Sequence, residues 1–188
     1  FPLTAPPEHY YRYAKQQLPM PKLHMRPGEH FHPYVRDYAS CIDYGAYFED
    51  DAHVHRALAS YYGLCSFLDE QVGKVLQALN DTGLSDQTRI VYTSDHGDNL
   101  GTRGLWGKST LYEESAGCPL IMAGPDIVSG RVCDEPVGHV DIFPFILDAV
   151  GEPSDPWMAE RPGEHQRLLA GRAEEPAQSQ EPHSRLPV

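Results

Sequence analysis

The residues best suited to chemistry are the adjacent pair Asp95 and His96, followed by Gly97 and then by Lys108, a lone cation in a glycine-rich loop. A carboxylate oxygen and an imidazole nitrogen that are neighbours in sequence can turn toward one cation where the backbone kinks, and Gly97 permits the kink. Oxygen-rich ligand sets suit Ca2+, Mg2+ or Mn2+, and an imidazole adds tolerance for transition metals. Lys108 lies between Gly107 and Ser109. Its ammonium can sit on a sulfate or phosphate oxygen and stabilise charge on a leaving group. Trp106 either lines the wall of such a pocket or fills a core, and His139 is a secondary candidate for a pocket residue against the plainer reading of a structural histidine. Asp98 and the pair Glu113-Glu114 are read as acids that support the loop or open a helix, with further ligands or a base as the alternative. The bland reading of Asp95 and His96 is a helix cap beside an incidental histidine, and that of Lys108 a solvated surface lysine. The glycine-rich loop following the Asp-His pair favours the functional reading.

These residues need elements to hold them. Ile90-Val-Tyr-Thr is apolar and rich in β-branched residues, which predicts a strand over 89–93, buried on both faces, with Asp95 just past its end. Ligands of open α/β sheets bind in the crevice beyond the carboxyl ends of the strands. Residues 95–112 read as a glycine-rich loop. Pro119-Leu-Ile-Met-Ala123 predicts a second buried strand, and Gly130-Arg-Val-Cys133 a short edge strand. Val54, Leu58, Tyr61, Cys65, Leu68, Val72, Val75, Leu76 and Leu79 recur at three-and-four spacing, the period of an amphipathic helix over 50–80. Asp50 or Asp51 caps its start, and Gly83 follows its end. Asp141 is expected to cap a helix through Ala149, with Pro144 in its first turn and Gly151 closing it. Proline density makes residues 1–47 irregular apart from one short helix at 7–15. From 152 to 188 apolar periodicity fades and Glu, Pro, Gln, Ser and Arg dominate, the pattern of an irregular or disordered tail.

The chain has 188 residues, enough for one domain with a real core, and its net charge of −12 argues against a nucleic-acid-binding surface. No apolar run reaches the length of a membrane span. The four cysteines show no paired spacing; Cys65 and Cys118 read as buried small hydrophobes, which favours a reducing, cytoplasmic compartment. The pairs His30-x-His32 and His53-x-His55 invite a zinc reading. Positions i and i+2 of a helix face different ways and no cysteines stand at zinc spacing, so that reading is set aside.

The run from Thr93 through Asp95, His96, Gly97, Asp98, Gly104, Trp106, Gly107 and Lys108 to Glu113, Glu114 and Ser115 resembles the signature of the sulfatase family, within the alkaline phosphatase superfamily. Phe1-Pro-Leu-Thr-Ala-Pro-Pro, the helix around Tyr61–Leu76, Pro119–Pro125 and His139-Val-Asp-Ile-Phe-Pro extend the likeness over most of 1–151, and among subfamilies the chain resembles the bacterial choline-sulfatase-like enzymes. The resemblance implies an α/β fold: part of an alkaline-phosphatase-like three-layer sandwich, with a mixed, mostly parallel sheet flanked by helices. It implies that Asp95 and His96 ligate a divalent metal, usually Ca2+, and that Lys108 binds a small sulfate ester; Trp106 and His139 remain substrate-pocket candidates on their own residue type and place. It further implies a formylglycine nucleophile from an upstream C/S-x-P-x-R motif. None of the four cysteines has that context, and the N-terminal Asp pair that completes the metal site is absent. The expectation is therefore a C-terminal part of a catalytic domain, inactive alone, that needs the N-terminal part or self-association to cover its strand edges. A phosphonate or phosphodiester hydrolase of the same superfamily and a non-catalytic truncated or interaction protein are the alternatives.

Overall fold

The computed structural model describes residues 3–22, 32–41, 44–134 and 136–152. The predicted tail from 153 onward and His30 lie outside them. In chain order the helices and strands are α1 (Pro7–Ala14), α2 (Pro33–Cys41), α3 (Asp51–Asp81), β1 (Ile90–Thr93), α4 (Glu113–Ala116), β2 (Leu120–Ala123) and α5 (Ile142–Val150). They divide between two units, one within Phe1–Asp86 and Ile90–Ile121, the other within Gln87–Arg89 and Met122–Val188.

In the first unit α3 is the long element, 31 residues or about 45 Å. Asp50 caps it: its carboxylate accepts from the His53 backbone N–H at 2.9 Å, satisfying one of the donors that every helix start leaves without a partner. At the other end the Thr82 hydroxyl bonds back to the carbonyls of Ala78 and Leu79, and Gly83 at φ 71 turns the chain away. Helix α1 packs on α3. Tyr13 and Ser66 hydroxyls meet at 2.6 Å, the His55 ring bonds the Gln16 carbonyl, and the buried His9 presents its edge to Phe67 and its Nε2 to Glu70 at 3.3 Å. His53 instead faces Asp50, so the His53-x-His55 pair does diverge as its helical spacing requires. Among the described residues of this unit the buried apolar ones are Val35, Leu58, Ala59, Leu105 and Trp106.

Four expectations need correction. The first 47 residues are not irregular beyond α1: α2 and a 3-10 turn at Tyr44–Tyr47 are also there. Pro33 starts α2, where a missing N–H costs nothing, and no proline follows until the helix is over. The strands are not buried on both faces. β1 and β2 pair as a two-stranded sheet; β1 is half-buried throughout, and Ile121 of β2 is exposed. No strand forms at 130–133, where Val132 is largely exposed; a four-residue alternation has no packing of its own to hold it. Cys65 is exposed and Cys118 only half-buried.

In the second unit Arg89 ties three segments: its guanidinium donates to the carbonyls of Pro125 and Ala149 and to the Asp126 carboxylate. The Ala149 contact places a cation on the C-terminal end of α5, where carbonyls have no helical partners. Asp141 stands at the start of α5, as expected, yet its carboxylate accepts from the Gly138 N–H at 2.7 Å. It therefore fixes the 3-10 turn His139–Asp141 rather than bonding into α5. Phe145 is the buried anchor of α5.

Candidate active site

The loop after β1 brings the predicted residues together. His96 Nδ1 lies 2.7 Å from the Gly97 carbonyl, so that nitrogen carries the proton and donates. The lone pair is then on Nε2, and Lys108 Nζ donates to it at 2.6 Å. Asp95 Oδ2 stands 3.3 Å from the same Nε2. A ring nitrogen tied to a carbonyl while the other faces a cation is the usual arrangement of a metal-binding histidine. The Lys108 ammonium stands on the cation side of the pair. Asp95 is mostly open to solvent, and His96 is a little over one-third exposed. Among the described residues no cluster of three or more His, Cys, Asp or Glu side chains is spaced to hold a metal. The donor set therefore fits a hard divalent cation in type but supplies two ligands of the six to eight that Ca2+ takes.

Backbone and buried amides hold this pair. The Gly97 N–H bonds the Ser115 carbonyl at 2.8 Å. A Cβ at Gly97 would run into the Glu114 carbonyl oxygen and would lie 3.2 Å from that of Gly117, so glycine is required there for close approach. Asp98 Oδ1 accepts from the N–H groups of Leu100 and Gly107, bracing the loop at both ends, the supporting role of its two readings. Asn99 is fully buried. Its backbone and side-chain N–H groups both reach the Gly107 carbonyl, and its Oδ1 accepts from Thr110.

Glu113 and Glu114 open α4. Glu114 pairs with Arg103 at 2.8 Å, and Arg103 lies over the Tyr112 ring, 4.0 Å from its centroid. Burial works to raise the Glu114 carboxyl; its own backbone N–H and the Arg103 guanidinium outweigh burial and hold it below the ordinary carboxylate value.

Trp106 is buried and stacked on Phe48 at 4.3 Å, the core alternative of its two readings. His139 belongs to the second unit and is exposed there. Asn99, Arg103 and Thr110 were not singled out in the sequence. The one available signal for Asn99 was its place, the single amide side chain in a loop rich in charged and hydroxylated residues.

The Sulfatase family model matches residues 2–152. The chain belongs to the sulfatase family. Choline-sulfatase of Rhizobium meliloti (strain 1021) is 35% identical over 140 residues, 73% of this chain and 27% of that protein. Arylsulfatase K of Homo sapiens is 38% identical over 95 residues, 50% of this chain and 18% of that protein. Among solved structures, the phosphonate monoester hydrolase SpPMH from Silicibacter pomeroyi superposes with a TM-score of 0.75 at 34% identity, over 93% of this chain and 36% of that one. The fold is thus part of an alkaline-phosphatase-like α/β architecture, and the chain spans about a quarter of the choline-sulfatase's length. Sulfatases act on sulfate esters and generally use a divalent metal.

Proposed function

We propose that this chain supplies two metal ligands and the sulfate-binding lysine of a sulfuric ester hydrolase acting on a small sulfate ester. The observation that carries this is the convergence of Asp95 Oδ2 and Lys108 Nζ on His96 Nε2, at 3.3 Å and 2.6 Å. Asp95 and His96 would hold Ca2+, with Mg2+ or Mn2+ as the alternatives, because carboxylate oxygen dominates the expected shell. When bound, the cation polarises the ester oxygens as a Lewis acid. Because His96 Nε2 has one lone pair, Lys108 would give up its bond there to the cation, direct its N–H groups at the oxygen that leaves sulfur and offset its growing negative charge. The Gly97 carbonyl keeps the His96 proton on Nδ1. We assign the formylglycine nucleophile and the remaining ligands to protein outside these 188 residues, the N-terminal part of the catalytic domain.

The pure chain is accordingly expected to turn over no aryl sulfate and to bind Ca2+ weakly. Measured turnover, or tight calcium binding by calorimetry, would overturn this division of labour. A second reading, hydrolysis of a phosphonate monoester or phosphodiester, is favoured by the likeness to the phosphonate monoester hydrolase. Comparing kcat/KM for an aryl sulfate and an aryl phosphonate monoester on the protein that carries the nucleophile decides between the two.

A further inference from the structure

Helix α2 has no place in the reading above, yet it reaches the loop on both sides of Lys108. The Tyr38 hydroxyl donates to the Trp106 carbonyl at 3.1 Å, and the Tyr34 hydroxyl donates to the Ser109 carbonyl at 3.0 Å. These carbonyls lie two residues before and one residue after Lys108. Both neighbours of Lys108 have left-handed backbone, Gly107 at φ 71 and Ser109 at φ 68. Serine there is uncommon and costs free energy unless its surroundings hold it. A Cβ on Gly107 would stand 3.5 Å from the hydroxyls of both Tyr38 and Tyr44, an ordinary van der Waals distance that places Tyr38 beside this glycine.

We infer that Tyr34 and Tyr38 are positioning residues: their hydroxyls clasp the backbone on either side of Lys108 and fix the stretch of chain from which its ammonium reaches His96 and the anion. This rests on the proposed role of Lys108 in binding sulfate. The two tyrosines stand four positions apart on α2, one helical turn, so both hydroxyls reach the loop from one face. Burial, followed by the neighbouring Tyr44, Asp98 and Tyr34, raises the Tyr38 hydroxyl above its ordinary value, so it remains a donor at neutral pH. Neither tyrosine touches the substrate in this account; each acts through the course of the backbone around Lys108.

The test uses the 15N-labelled chain with inorganic sulfate as the probe. The His96 Nε2 resonance reports the Lys108 contact, and a sulfate titration reports the anion site. Lys108→Met sets the signal for a lost contact. Tyr34→Phe combined with Tyr38→Phe keeps both rings and removes both hydroxyls. It is expected to move the His96 resonance toward the Lys108→Met position and to weaken sulfate binding about tenfold. Tyr34→Phe alone, at a half-exposed ring, gives the same direction with a smaller effect and guards against a double variant that fails to fold. Tyr13→Phe, which removes a hydroxyl contact to Ser66, is expected to leave both readouts unchanged. If Lys108→Met changes both readouts while the tyrosine variants match wild type, the clasp is overturned and the role of Lys108 stands. If Lys108→Met also matches wild type, both fall. If Tyr13→Phe shifts His96 as far as the double variant does, the effect is general loosening and the clasp is overturned.

Discussion

The loop between β1 and β2 and the C-terminal half of α3 belong to the same unit and hold their shape in opposite ways. The loop contains little regular structure, yet Asn99, Leu105, Trp106, Thr110 and Ser115 are buried in and beside it. Its order comes from specific side chains bonded to backbone groups and to one another: Asp98 on the Leu100 and Gly107 N–H groups, Asn99 on the Gly107 carbonyl and the Thr110 hydroxyl, Arg103 on the Glu114 carboxylate. The far half of α3 is regular helix, but its apolar residues are open: Leu68, Val75 and Leu76 are 49%, 68% and 42% exposed. Periodicity alone makes them look like a core stripe. An irregular segment needs its particular residues, whereas a helix satisfies its own backbone whether or not its stripe is covered.

Substitutions in the two regions should therefore differ sharply. The largest effect is expected from Gly97→Ala, because the added methyl meets the backbone around Glu114 rather than a side chain that can swing away. A loss of about 3 kcal/mol in urea unfolding is expected, with displacement of Asp95 and His96; a neutral result would mean the loop is softer than its bonding implies. Asn99→Ala comes next, at about 2 kcal/mol, from a cavity and a Thr110 hydroxyl left without its acceptor.

Glu114→Gln sharpens the comparison through pH. A carboxyl held low in the folded state contributes stability above its ordinary value of 4.5 and loses it as pH falls through the lower folded value. Below about pH 4.5 the wild-type urea midpoint should drop more steeply than that of Glu114→Gln. At neutral pH the two should differ by about 1 kcal/mol, since the pair is partly screened by water. Equal acid slopes would mean that Arg103 does little for the loop. The smallest effect is expected on α3, where Val75→Ala should change stability by no more than about 0.5 kcal/mol. Alanine's higher helix propensity offsets part of the lost contact. A loss comparable to that of Asn99→Ala would show that this face is covered after all.

Local patterns were legible where the chain interacts with itself at short range. The ends of α3 could be read from Asp50 and Gly83, because capping depends on groups three or four residues apart. β1 and β2 were placed within a residue from β-branched runs. Their burial was misjudged, because an apolar run states what a strand can bury and not what lies against it. Helix α2 was missed, because proline density was read as an average over 47 residues while the helix occupies a gap between prolines.

The sequence by itself determined the family, the pairing of Asp95 with His96 beyond a strand, and the lysine at 108. These are signals of residue type and short spacing, which survive without any knowledge of packing. Only the tertiary structure decided that Lys108 comes to His96 across 12 positions. It alone showed Asp98 to be a brace, Trp106 to be core, and Tyr34 and Tyr38 to reach across about 70 residues to the same loop. The physical reason is that hydrogen bonds between distant segments are set by how the chain closes on itself, and residue type records only that a donor or an acceptor is available.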